Sequence, residues 1–343
     1  MRSTRWRLGR LTQTALAAAM VIGMTACSGG STPGAGSSDS GSGGGKNIVY
    51  YTTRPEDGLP ELKKAFETAN PGYTLEIIRG SSSDMVARLI TEASAKQQKA
   101  DIVEINSLPM SELSKAGILG TLPASITDKL PEKAKAPDGT YVGTRYFGHM
   151  TPYNTNLVPK DQWPTSYMDF LKPYWKGQFI IGANDVEWAY QVYASMGPEK
   201  GMELFKQMNA QDPQIRDEGR GALAELIAVG QAKAAIMTLA YHVTNRQKKD
   251  MPIAGAPWNP PLLNIDWLAT FKGAPNPDAT NVFLTWLFSD DGVKTDAGLG
   301  FNRIGDAGTQ EALADPNLLI LSPASADMQK QAADDFESVF GAQ

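Results

Sequence analysis

The chain has very few of the residues on which many enzymes and metal proteins depend. Its 343 residues include one cysteine, Cys27, and two histidines. One cysteine excludes a disulfide within the chain, and two histidines are too few for a histidine-rich zinc site. Neither a Gly-x-Ser-x-Gly elbow nor a His-Glu-x-x-His pair occurs. An extracellular hydrolase is therefore a weakly supported alternative, and an adhesion protein would need an exposed apolar patch that a sequence does not reveal.

Positive charge is also scarce in the part of the chain expected to fold. The formal net charge is -5, and the first 26 residues hold four Arg and no acid, so the remainder carries -9. Nucleic-acid binding requires a basic face that neutralises phosphates. This balance argues against a nucleic-acid partner and against broad electrostatic adhesion to anionic lipid.

The N-terminal region has the order of a secretory signal. Four arginines between Arg2 and Arg10 precede an apolar stretch from Ala15 to Met24, and Cys27 follows with a Gly/Ser-rich tract that ends at Gly45. We expect a signal peptide over residues 1–26 and a lipidated Cys27 with a flexible tether over 27–45. No later segment is apolar for long enough to span a membrane. The sequence thus predicts an extracytoplasmic domain held to the cell membrane by its lipid anchor alone.

After Lys46, predicted strands and helices alternate, which favours an α/β fold with mainly parallel sheets. Strands are predicted over Asn47–Thr52, Tyr73–Ile78, Asp101–Ile105, Gln178–Gly182 and Ala234–Leu239. The stretches Thr140–Asn156 and Ala254–Asn264 break this rhythm, and we interpret them as strands that cross between two lobes. Ligands of open α/β sheets bind beyond the carboxyl ends of the strands. Two lobes facing each other would enclose a cleft.

Several short segments, in this order, resemble a known family. They are Ile48–Thr53, Gly80–Leu89, Ala100–Val103, Pro152–Val158, Tyr174–Gly177 and Phe288–Val293. Together they are similar to the extracellular solute-binding lipoproteins of ABC importers, in the ferric-iron-binding, type 2 periplasmic-binding-protein branch.

The resemblance implies a two-lobed α/β fold in which each lobe is a mainly parallel sheet flanked by helices, joined by two crossover strands. It places lobe 1 at residues 46–145 plus 266–320 and lobe 2 at 146–265 plus 321–343. It also implies a monomer without cofactor or enzymatic activity, which binds a small solute and delivers it to ABC permease subunits.

The iron ligands of the ferric branch are not reproduced in this sequence. The resemblance implies a His, a Glu and adjacent tyrosines as iron ligands. Here Arg54 stands where the His is expected, Asn106 stands near the expected Glu, and the tyrosine pair is reduced to Tyr241-His242. A guanidinium keeps its positive charge and repels a ferric ion. Ferric iron or an iron chelate is therefore the alternative ligand rather than the first.

Arg54 and the serine run Ser81–Ser83 point to an anionic ligand. A guanidinium matches the geometry of carboxylate and phosphate groups, and free N–H groups at a helix N-terminus favour an anion. Both features also have ordinary explanations, as a surface arginine and as helix capping. We predict an anionic or phosphorylated organic solute. The predicted ligand-binding residues are Thr53, Arg54, Ser81, Ser82, Ser83, Asn106, Tyr146, Asn184, Trp188 and Tyr241, with Trp188 expected to stack on the solute and no residue catalytic or metal-binding.

Overall fold

The structure, a computed structural model, describes residues 45–299, 301–304, 309 and 313–341. The predicted signal peptide, Cys27 and all but the last residue of the predicted tether lie outside these residues. Among the residues described, no helix is both long enough and apolar enough to cross a bilayer.

Strands and helices alternate over most of the chain. The strands are β1 Asn47–Thr52, β2 Thr74–Arg79, β3 Ile102–Ile105, β4 Tyr141–Asn154, β5 Phe179–Gly182, β6 Gln214–Arg216, β7 Ala234–Ala235, β8 Thr238–Leu239, β9 Ile253–Pro257, β10 Leu262–Thr270, β11 Asn302–Arg303 and β12 Leu319–Leu321. The helices are α1 Leu59–Ala69, α2 Ser82–Ser94, α3 Ser107–Lys115, α4 Ala124–Thr127, α5 Val186–Met196, α6 Pro198–Asn209, α7 Arg220–Ala228, α8 Ala240–Gln247, α9 Pro277–Leu287, α10 Asp290–Gly298 and α11 Ala326–Phe340. Short 3-10 turns lie at Glu56–Gly58, Glu132–Ala134, Lys160–Gln162, Tyr167–Leu171, Pro173–Trp175 and Pro323–Ser325.

One helix has a proline near its start, and one predicted strand is interrupted. Helix α3 begins at Ser107, so Pro109 lies inside its first turn. A proline is tolerated there because the first turn has no N–H acceptor within the helix. The predicted strand Ala234–Leu239 is divided into β7 and β8. Between them, Ile236 and Met237 are buried in a hydrophobic core, and the N–H of Ile236 donates to Ile180 O at 2.8 Å.

Strand β4 connects two groups of strands. Its first half pairs antiparallel with β10, whose other edge pairs with β3 and, through β3, with the parallel strands β1 and β2. Its second half pairs with β7, β8 and β9, and β7 leads to the parallel strands β5 and β6. The two stretches interpreted as crossovers therefore lie side by side, as β4 and as β9 with β10. Gly143 is required in β4, since a Cβ there would come within 2.9 Å of Ile265 Cγ2.

Two large hydrophobic cores lie on the two sides of this connection. The first core contains Tyr50, Phe66, Ile105, Trp267 and Phe283, from β1, α1, β3, β10 and α9. The second contains Phe179, Trp188, Phe205, Trp258 and Phe336, and α11 packs on α5 and α6 there. The C-terminal helix thus belongs with the strands and helices of the middle of the chain.

Candidate functional site

Arg54 lies in a buried network of ion pairs. It follows β1 and its side chain is 2% exposed. Its Nε donates to Glu104 at 3.1 Å, and its Nη1 donates to Asp296 at 2.6 Å. Arg145 also donates to Glu104 at 3.1 Å and to Asp266 at 2.5 Å. The guanidinium of Arg54 is therefore committed to two protein carboxylates, and its place in the molecule is that of a structural ion pair rather than the ligand contact predicted from the sequence.

The network pairs positive with negative side chains in the interior of the protein. Burial would raise the pKa of Glu104, but the guanidinium groups of Arg54 and Arg145 reverse this and lower that pKa to about 2. Burial raises the pKa of Asp266 against the opposing effect of Arg145. Arg303 adds a third guanidinium, which donates to Asp296 at 3.2 Å. Three arginines and three carboxylates thus share one interior site, where an unpaired charge would be costly.

The serine run is explained by helix capping. Ser81 is the N-cap of α2, and its hydroxyl accepts from the N–H of Asp84 at 3.2 Å and donates to the Asp84 carboxylate at 2.7 Å. Ser83 is exposed and lies 3.1 Å from the Ser81 hydroxyl. The carboxylate of Asp84 already lies at this helix N-terminus, so an anion there would meet a like charge.

A cavity of about 130 Å³ lies between the two cores. Its walls come from both sides of the molecule, and they are Asn106, Ser107, Leu108, Pro109, Val186, Glu187, Tyr190, Asn264, Leu321 and Gln329. Helix α3 packs into the first core through Met110 and Leu113, whereas α5 packs into the second core. The N-terminal ends of α3 and α5 therefore meet at one cavity. Of the residues predicted from the sequence, Asn106 lines it.

The floor and one wall of this cavity are fixed by hydrogen bonds and an ion pair. The hydroxyl of Ser107 donates to Gln329 at 2.8 Å, and the amide of Gln329 donates to Ser322 O and Ser325 Oγ at 2.8 Å each. On the α5 side, Arg220 pairs with the carboxylate of Glu187.

Asn184 and Asp185 come directly before α5. Arg220 also donates to the carbonyl of Asn184 at 3.3 Å, which brings that predicted residue next to the cavity wall. Asp185 accepts from the N–H of Gly182, and burial raises the pKa of Asp185 to about 7 despite the nearby Arg220.

Half-buried aromatic side chains lie near the middle of β4. The rings of Phe147 and Tyr241 are 6.0 Å apart, and those of Phe147 and Phe301 are 6.3 Å apart. Tyr146 is half-buried next to Phe147, and Thr53 is half-buried beside Arg54. The neighbouring His242 is held neutral, because burial and the charge of Arg246 lower its pKa to about 4.

Trp188 is part of the second core. Its side chain is 0% exposed, and its ring lies 5.2 Å from Phe205 and 5.8 Å from Tyr167. The prediction that it stacks on a ligand is wrong for this structure, because the first turn of α5 directs it inward against α6 and α11. Residues 188–193 are all buried, so this part of α5 is enclosed around its whole circumference and its aromatic residues belong to the core.

Sequence reasoning missed the polar residues that shape these sites. Glu104 interrupts the otherwise apolar strand Ile102–Ile105, and Asp266 interrupts the apolar run of β10. A charged residue inside a buried strand is a signal for a paired interior charge. Asn264 and Gln329 carried no local signal. Within the described ranges, no three His, Cys, Asp or Glu side chains come together as metal ligands would.

The comparison with known proteins adds a family match. The sequence profile described as "Bacterial extracellular solute-binding protein" matches residues 61–304. Iron uptake protein A1 of Synechocystis is 23% identical over 265 residues, covering 71% of this chain and 72% of that protein.

Solved structures have the same fold. Iron-bound HitA from Pseudomonas aeruginosa matches with a TM-score of 0.72 and 19% identity, covering 85% of this chain and 99% of that one. AfuA from Actinobacillus pleuropneumoniae, with exogenous fructose-6-phosphate bound, matches with a TM-score of 0.68 and 17% identity, covering 87% and 99%. Such likeness shows a mixed α/β, two-lobed fold of the type 2 periplasmic-binding-protein class, with β4 and the β9–β10 segment as its crossovers.

Proposed function

This chain belongs to the bacterial extracellular solute-binding proteins, and from that premise we propose that it captures a small anionic or phosphorylated organic solute between its lobes. The family comprises solute-binding proteins of ABC transport rather than enzymes. The solute is held in the interlobe cleft and passed to the permease subunits. Lobe 1 comprises residues 46–145 plus 266–320, and lobe 2 comprises 146–265 plus 321–343.

The observation that carries this proposal is the cavity between α3 and α5. A receptor that closes on its solute needs polar groups from both lobes at one enclosed place. Asn106 and Ser107 supply them from one side, and Glu187 with its partner Arg220 supplies them from the other. Thr53, Tyr146, Asn184 and Tyr241 form the outer part of the cleft in this proposal. AfuA, which binds a sugar phosphate, supports an organic ligand of this kind.

Ferric iron carried as a chelate is the second candidate. Relatives named for iron uptake and iron binding favour it. A bare ferric ion needs several anionic oxygen ligands from the protein. The described residues hold no group of three carboxylate, His or Cys side chains for that purpose. A chelator would bring its own ligands and would present an anionic surface to the cleft.

The proposed attachment follows the N-terminal sequence. Cys27 carries the lipid, and the Gly/Ser-rich tract behind it holds the folded domain off the membrane as a monomer. Its 18 residues after Cys27, treated as a flexible coil, reach roughly 20–25 Å. Mass spectrometry of the mature protein tests this part, with a diacylglyceryl adduct on Cys27 as the expected result.

Native mass spectrometry of the protein purified without refolding tests the proposed ligand class. We expect an organic anion to co-purify with the protein and to be released in chemically unchanged form when the protein is denatured. Titration with ferric citrate against citrate alone separates the two candidates. A ligand released in chemically altered form would contradict a receptor role, and a neutral or cationic ligand would contradict the proposed class.

A further inference from the structure

We propose that one end of lobe 1 docks reversibly on the anionic phospholipid headgroups of the membrane to which the chain is tethered. This end carries Lys46, Lys96, Lys99 and Lys272, and we call it the basic pole. The inference goes beyond solute capture and rests on the proposed attachment through Cys27. The net charge of the chain argues against broad adhesion to anionic lipid, so the proposed contact is local and adds to the lipid anchor.

The first step of the argument is the position of the four lysines in the fold. Strands β1, β2 and β3 are parallel, and β10 runs antiparallel to β3. The starts of β1 and β3 therefore lie at the same edge of the sheet as the end of β10. Lys46 directly precedes β1, and Lys272 follows the end of β10. Lys96 and Lys99 lie between α2 and β3. Asn106, which lines the cavity between α3 and α5, follows the other end of β3, so the basic pole faces away from that cavity.

The second step is the point at which the tether joins the folded domain. Gly45 is the first residue that the structure describes, and a Cβ there would lie 2.6 Å from Asn276 Oδ1. The N–H of Asn276 in turn donates to Asp101 at 2.7 Å, directly before β3. Asn276 is four residues after Lys272, which limits the distance between their Cα atoms to about 14 Å. The tether therefore joins the domain at the basic pole, and its reach of roughly 20–25 Å keeps this end near the lipid surface.

The third step concerns charge. All four lysines are exposed, and none forms an ion pair with a carboxylate in the part of the chain that the structure describes. The exposed carboxylates of Glu76 and Asp278 lie close to this end and offset part of its positive charge. The chain after residue 26 carries a net charge of -9. An anionic surface therefore attracts the basic pole and repels the remainder of the domain, which orients the tethered protein.

The fourth step is a hollow at the basic pole that fits a phosphate headgroup. It measures about 340 Å³, and its lining includes Lys96, Gln98, Gly117, Lys272 and Gly273. A cavity of roughly 150 Å³ already accommodates benzene, so a glycerol phosphate headgroup has room here. The Nζ of Lys272 donates to Gly117 O at 2.6 Å, which holds this side chain in place and leaves its other N–H groups for a ligand.

The backbone at Lys96 gives a further indication. Lys96 follows the end of α2 and has φ 55°, a conformation that glycine ordinarily adopts at this position. A lysine is retained there at some cost in stability. A contact that needs its positive charge explains this choice of residue.

Hydrogen exchange of the full mature chain with its lipid, reconstituted in vesicles, tests the proposal. Vesicles of phosphatidylcholine alone are compared with vesicles of equal parts phosphatidylglycerol and phosphatidylcholine. We expect the amides of residues 94–99 and 271–275 to exchange at least about fivefold more slowly on the vesicles that contain phosphatidylglycerol. This protection should disappear at high salt. Residues 245–250 of lobe 2 should exchange equally on both kinds of vesicle.

A matched pair of double variants locates the contact. Lys96→Gln combined with Lys272→Gln removes two charges of the basic pole and should lower the docking equilibrium constant about fivefold for each lysine. Lys248→Gln combined with Lys249→Gln makes the same change of net charge just after α8 and should leave the protection unchanged. All four side chains are exposed, so we expect both variants to fold, and titration with the co-purified solute checks this.

The outcomes separate this inference from the receptor role. Equal exchange on both kinds of vesicle, or an equal loss of protection in the two double variants, overturns the docking surface. The same protection produced by inorganic phosphate on phosphatidylcholine vesicles would assign the hollow to a soluble anion and would also overturn it. If Cys27 carries no lipid, the attachment fails and the inference fails with it. In each case the receptor function stands or falls separately, on whether the protein binds its co-purified solute.

Discussion

Replacing Glu104 by glutamine is expected to destabilise the folded protein strongly. The carboxylate is 0% exposed and accepts from Arg54 and Arg145 at 3.1 Å and from the hydroxyl of Tyr50 at 2.5 Å. Glutamine keeps the volume but removes the charge, so three buried guanidinium groups would face only Asp266 and Asp296. Breaking a buried ion pair by removing one partner costs about 3–5 kcal/mol.

This cost translates into a measurable loss of thermal stability. The entropy of unfolding of a chain with roughly 300 folded residues is about 0.6 kcal/mol/K, so the Tm should fall by roughly 5–8 °C. Differential scanning calorimetry at pH 7 measures it. The matched control is Glu218→Gln, which removes a carboxylate paired with Arg216 at the surface. Its Tm should stay within the error of the measurement.

The pH dependence provides a second readout of the same charge. The pKa of Glu104 lies at about 2 in the folded protein against an ordinary value of 4.5. A lowered pKa means that the charge stabilises the fold fully above 4.5, and that this contribution is lost as pH falls from 4.5 towards 2. The Tm difference between wild type and Glu104→Gln should therefore shrink in that window. A difference below 2 °C at pH 7, or one that grows on acidification, would refute the account of the network.

Three further outcomes follow from the same structure. Trp188→Ala should lower the free energy of unfolding, measured by chemical denaturation, by about 3–5 kcal/mol and leave the solute affinity of the folded protein unchanged. A loss of affinity without a loss of stability would show instead that Trp188 contacts the ligand. Arg54→Met should lower the Tm without changing the affinity for the co-purified solute. An unchanged Tm with a weakened affinity, both measured by calorimetry, would show that Arg54 binds the ligand directly. Asp185→Asn should raise the Tm at pH 8 and have little effect on it at pH 4. Burial raises the pKa of Asp185 to about 7, so ionisation of this carboxyl destabilises the fold progressively between its ordinary pKa and that value. An equal Tm shift at both pH values would contradict this.

The architecture was largely predictable from local patterns. Apolar runs of four to six residues separated by amphipathic stretches identify buried strands and their covering helices. The alternation of strands and helices is interrupted at Thr140–Asn156, and this interruption marked the long strand β4. A strand that continues from one group of strands into the other has no helix at its midpoint. The whole-chain resemblance then supplied the two-lobed arrangement.

The site was less predictable because its contacts join distant parts of the sequence. Arg54 meets Glu104 after 50 residues and Asp296 after 242. No local pattern distinguishes an arginine at a strand end that binds a ligand from one that is paired inside the protein. The interrupting charges of Glu104 and Asp266 were the available signals. Asn264 lies in a nine-residue buried strand, and its apolar sequence neighbours indicate only a core position, although it lines the cavity.

A crystal structure of the protein with its co-purified solute tests the central claim most directly. The account predicts density for a small organic molecule between the lobes, in contact with the residues that line the cavity between α3 and α5. It also predicts that Arg54 is still paired to Glu104. Density for a solute bound outside the space between α3 and α5, or one held through Arg54 after the pair to Glu104 has broken, would contradict it.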